Sequence, residues 1–138
     1  MIYIIITILL WPIYCILEGF REGKYFHFRN FSGEKEHQRY DIHTYFAFQR
    51  GVVMVLCSIR YEWYVGIPLF FAMSSIFPFF HDGQYYSTRN NIDKKVYPKR
   101  WRAFGDGSAK MDFSWAQRVW LLIAGIGLLT LSIFLNEL

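Results

Sequence analysis

Two cysteines in 138 residues are too few to staple a small fold, so a disulfide scaffold is excluded. Four prolines and ten glycines, scattered along the chain, exclude a collagen-like or low-complexity sequence. Disorder is excluded by the opposite property: 54% of positions are hydrophobic and 21% aromatic, ample surface to bury. His27, His37, His43 and His81 form no His-Glu-x-x-His or Cys-His spacing, so no zinc site is expected, and no cofactor. The chain also lacks a basic region before Ile2 and a small-residue cleavage site. Its hydrophobic start is therefore expected to stay as structure rather than act as a cleaved signal peptide.

The telling scarcity is of charge within long stretches. Ile2 to Leu17 carries none, and continuing to Phe20 adds only Glu18. Such a segment spans about 30 Å of hydrocarbon at about 1.5 Å per residue. Val65 to Phe80 and Val119 to Asn136 are two further uncharged runs. The segment between the first two runs is harder, because only nine residues separate Arg50 from Arg60. As a helix they cover roughly 13 Å, too little for a bilayer. A helix from about Thr44 to about Trp63 is long enough, with Tyr45, Phe46, Phe48, Tyr61, Trp63 and Tyr64 as interfacial aromatics and Arg50 more than a turn inside. A buried hairpin in a soluble protein is the alternative, but it would leave the third run, apolar all round, with too little to cover it.

The length allows one domain. The expected fold is all-α, a polytopic membrane protein built as a four-span antiparallel helical bundle over 1–138. Its spans are expected at about 2–20, 44–63, 64–81 and 114–136, and its polar loops at about 21–43 and 82–113. Fourteen of the fifteen Lys and Arg fall between 21 and 50 or between 89 and 118, against Arg60 alone on the other side. By the positive-inside rule both long loops face the cytoplasm and both termini face out. This places the chain in an inner or plasma membrane.

An internal repeat is a further expectation. Residues 22–30 align without gaps on 82–90, sharing Gly, Tyr, Arg and Asn in register, and Gln49-Arg50 matches Gln117-Arg118. A duplication of this kind gives two helical hairpins in parallel orientation, with sites expected at the repeat interface.

Candidate site residues follow from charge at the membrane boundary. Glu18, Arg21 and Glu22 share one helical face, and an ionisable group inside a span turns toward a partner or a polar cavity. An acid at 18 or 22 is therefore expected to approach Arg50, which otherwise snorkels to the interface. His81 and Asp82 suit proton relay or acid–base chemistry, although neighbours on a helix point about 100° apart and need not touch. The plainer expectation is a helix end at which Gly83 stops the helix and His81 meets its C-terminal dipole. Arg118 completes the polar intramembrane or interfacial set, and no catalytic residue is assigned. Cys15 and Cys57 are expected as small buried apolar residues, and Pro12, Pro68 and Pro78 as helix interruptions.

Lys94, Lys95, Lys99, Arg100 and Arg102, interleaved with Trp101, are expected to contact anionic lipid headgroups. Loops held at a bilayer account for this charge, so no nucleic-acid partner is expected. Ser114 and Gln117 fit a capping box opening the last helix. Small residues Ala124, Gly125, Gly127, Thr130 and Ser132 suit close helix contact, inside the bundle or in a homo-oligomer.

Three function classes compete. A small transporter or channel-like protein accounts best for the charges at the boundary. A non-catalytic accessory subunit of a larger membrane complex, or a membrane-lesion protein, accounts for the missing filter or catalytic motif. An interfacial enzyme on lipid headgroups would use His81 with Asp82 or Glu22.

Overall fold

A computed structural model of the chain describes residues 2–31, 37–97, 101–102 and 113–138, without the side chains of 26, 29–31 and 37–43. The described residues form four helices and no strand: α1 (Ile2–Phe31), α2 (His37–Ser58), α3 (Trp63–Ile92) and α4 (Trp115–Asn136). Three of them are long and apolar enough to cross a membrane, at Ile2–Tyr25, Trp63–Ile92 and Trp115–Asn136. That is what an integral membrane protein requires. Their outward faces agree, since Leu9, Leu10, Ile13 and Leu17 on α1 and Trp120, Ile123, Ile126 and Phe134 on α4 are exposed. Apolar patches of that extent are not left to water in a soluble monomer.

Helix α3 lies at the centre and packs against all three others. Trp11 of α1 donates its indole N–H to the Met73 carbonyl (2.9 Å), and Gly23 lies beside Thr88, so α1 and α3 run parallel. Met54 of α2 lies by Ser74 and Phe46 by Tyr85, while Gly125 of α4 lies against Ala72 and Ile76. α2 and α4 are therefore antiparallel to α3. The apolar core of Ile4, Trp11, Cys15, Val65, Leu69, Met73 and Ile76 fills the half of the bundle near the α2–α3 turn. Three buried residues of α4, Arg118, Gly125 and Ser132, fall seven apart and make a single seam along α3.

The helices differ from their expected bounds. α1 continues past residue 20 to Phe31 and α3 past residue 81 to Ile92, so much of the two polar segments is helical. Gly83 does not stop α3. It is buried beneath the Trp101 indole, which occupies the space a Cβ would need. The prolines do not divide their helices either, for α1 runs through Pro12 and α3 through Pro68 and Pro78. At the other end, α2 stops at Ser58 rather than reaching Trp63. Gly66 lets the chain close that turn, since a Cβ there would lie 2.7 Å from the Ser58 carbonyl oxygen. α2 is also the helix that is not apolar enough to count as a candidate span.

The start of α4 is fixed by the expected capping box. Ser114 Oγ accepts from the Gln117 amide (3.3 Å), and Gln117 Oε1 accepts from the Ser114 amide (2.8 Å). Ser114→Ala should therefore cost about 1 kcal/mol. Thermal unfolding in detergent checks this, and an unchanged midpoint would show that the cap is dispensable.

Candidate functional site

The buried stripe of α1 changes chemistry along its length. Ile4, Trp11, Cys15, Glu18 and Glu22 recur at helical spacing and all are buried. The first three enter the apolar core, and the last two are carboxylates, of which Glu22 reaches His81 in the polar half of α3. Two glycines set the depth of that approach. A Cβ on Gly19 would run into the His81 carbonyl oxygen, and one on Gly23 would lie 2.9 Å from Thr88 Cβ and 3.0 Å from the Tyr85 carbonyl oxygen. Gly19 and Gly23 thus form a Gly-x-x-x-Gly contact that brings two backbones together. Glu22, on the same turn, is carried to His81.

Four ionisable side chains from three helices meet there. Glu22 is the acid that ion-pairs with Arg50 of α2. Its other oxygen lies 3.3 Å from His81 Nε2, and Arg50 Nη2 lies 3.3 Å from the same nitrogen. His81 Nδ1 lies 2.9 Å from Asp82 Oδ1, so these neighbours do touch. The Phe77 ring stacks on His81 at 4.4 Å, and the Arg50 guanidinium sits 4.6 Å from the Phe77 centroid. This π-face gives the cation a second place to rest.

Glu18 is buried one turn deeper on α1, and it pairs with Arg21 (2.6 Å). Arg21 in turn lies 4.4 Å from the Phe46 centroid, a second tie between α1 and α2. Arg118 is fully buried on α4, with its guanidinium 5.9 Å from the Tyr86 centroid and 5.8 Å from that of Trp115. It belongs to an aromatic cluster on the far side of α3.

A second polar layer caps the same end. Arg89 donates to the Tyr85 hydroxyl (2.9 Å) and lies 3.9 Å from the Tyr97 centroid, and Asn90 donates to the Tyr97 carbonyl (2.6 Å). Asp93 accepts from the amides of Lys95 and Val96, which folds the chain back after α3. That turn leaves Lys94 and Lys95 exposed. Trp101 is half-buried against Phe79 and Gly83, and the exposed Arg102 lies 5.2 Å from the Trp115 centroid. Lys99 and Arg100 lie outside the described residues.

No family model, curated protein or solved structure matches the chain. The site is therefore read from its own chemistry. Among the described residues no group of three or more His, Cys, Asp or Glu is arranged to hold a metal ion. What the cluster holds is a histidine ring with a carboxylate at each nitrogen and a cation competing at one of them. Phe77, Gly19 and Gly23 are the participants that charge alone did not disclose. The glycine pair was available as a spacing in the sequence, whereas Phe77 carried no signal among fourteen phenylalanines.

Proposed function

We propose that the protein is a small membrane transporter or channel-like protein whose functional site is the Glu22–Arg50–His81–Asp82 cluster. The observation that carries this reading is the convergence of these side chains between α1, α2 and α3, each helix supplying at least one. Ionisable groups at that depth in an apolar bundle are costly and mark pathways and relays more often than plain scaffolding. In this reading α2 is the fourth span. Its exposed Tyr45, Phe48, Val52 and Val55 make an outward apolar stripe that lipid would cover. The polar end lies at the cytoplasmic face, where Lys94, Lys95 and Arg102 meet anionic headgroups. The parallel course of α1 and α3 supports the two-hairpin duplication.

The accessory-subunit reading has one observation in its favour. Ala124, Gly127 and Thr130 on α4 are exposed, and a Cβ on Gly127 would meet nothing within 4 Å, which leaves that face open to another helix or a second copy. The enzyme reading is disfavoured by burial, because His81 is 6% exposed with both ring nitrogens engaged.

Purified protein in liposomes decides between the first two readings. Transport predicts solute or ion flux that falls at least tenfold in Glu22→Gln protein that still elutes as a folded species. Absence of flux from folded wild type, across protons, alkali cations and chloride, would move the function to the accessory class.

A further inference from the structure

Resting on the transport reading, we infer that the species handled by this site is the proton, passed along Asp82, His81 and Glu22 under the control of Arg50. The three groups form a chain of contacts, 2.9 Å from Asp82 to His81 Nδ1 and 3.3 Å from His81 Nε2 to Glu22. Their exposure falls in the same order, with side chains 20%, 7% and 4% accessible. Asp82 is the group water reaches first, and Glu22 lies deepest. The stripe continues inward at four-residue steps through Glu18 to Tyr14, whose buried hydroxyl has no hydrogen-bond partner among the described residues. Beyond Tyr14 the interface closes with Trp11, Leu69 and Ile4. The relay is thus open to one side only in this conformation, as an alternating carrier needs and an open pore does not.

The step balances on one imidazole ring. In the tautomer protonated at Nε2, the ring donates to Glu22 and its Nδ1 lone pair faces Asp82. A proton that Asp82 takes from water moves to Nδ1 as the Nε2 proton moves to Glu22, so the ring stays neutral and ends protonated at Nδ1, with its Nε2 lone pair accepting from Arg50. The net change is one proton from the aqueous end to Glu22. A protonated Glu22 no longer holds Arg50 by charge, which leaves Arg50 its contact with His81 Nε2 and the face of the Phe77 ring. Arg50 and α2 are then free to shift, which couples proton arrival to helix movement. Among the described residues, the charged groups around His81 are Glu22 and Glu18 on α1, Arg50 on α2 and Asp82 on α3. Arg118 of α4 lies by Tyr86 and Trp115.

The test uses the full chain in liposomes loaded with a pH-sensitive dye, with a potassium gradient and valinomycin setting the voltage, beside tracer uptake of sodium, rubidium and chloride. The expected result is voltage-driven acidification that falls at least tenfold in His81→Gln and in Asp82→Asn. Asp82 is partly exposed, and among the described residues its close contact is with His81 of its own helix, so Asp82→Asn keeps the test valid should the His81 variant fail to fold. Proton flux unchanged in folded Asp82→Asn would overturn the relay. Flux of a tracer ion with a silent dye would overturn the proton assignment and leave the transport reading standing. Silence in every channel from folded wild type would remove both.

Discussion

Replacing Glu22 by Gln should destabilise the bundle by about 3–5 kcal/mol, the cost of leaving a buried cation without its partner. Glu22 is 3% exposed, and its carboxylate is the group that compensates Arg50. An amide at this position supplies a dipole and no charge. Arg50→Gln should cost less, because Glu22 keeps His81 within 3.3 Å as an alternative neighbour. The double variant should cost less than the sum of the two single changes, since it removes both charges together. Unfolding in graded denaturing detergent, followed by circular dichroism, reads all four species. Additive losses would mean that the two side chains do not act as a pair.

The need for this pairing was legible in the sequence, because an arginine more than a turn inside an apolar segment requires an acid or a route to water. Which acid was not legible. Glu18 and Glu22 lie on the same face of α1, and the choice between them depends on how α1 is rotated and set against α3. That is decided by the glycines at 19 and 23 and by the backbone they meet at His81 and Tyr85. The uncharged runs of α1, α3 and α4 were equally plain, since a membrane demands them. The lengths of the helices were not, because the polar residues past 20 and 81 carry no periodic apolar signal, and their helices continue with the support of Tyr25, Tyr85 and Tyr86 against Phe46. Gly83 misled for a related reason. It has the form of a helix stop, but its role is set by Trp101, eighteen positions later, which takes the space above it.

The same close contact yields the second large effect. Gly19→Val should abolish folding, and Gly19→Ala should destabilise by about 1–3 kcal/mol despite the better helix propensity of alanine. The new Cβ would meet the His81 carbonyl oxygen, which is backbone within α3 and has no rotamer with which to yield. The only relief is separation of α1 from α3, and that withdraws Glu22 from His81 and loosens the Trp11 bond to Met73. Gly127→Ala is the matched control, because nothing lies within 4 Å of that position. In the monomer it should be neutral or stabilising by up to about 1 kcal/mol. Paired thermal unfolding of the two alanine variants gives the comparison directly. If Gly19→Ala is as stable as Gly127→Ala, the two helices do not approach through this glycine face, and the placement of Glu22 beside His81 fails with it.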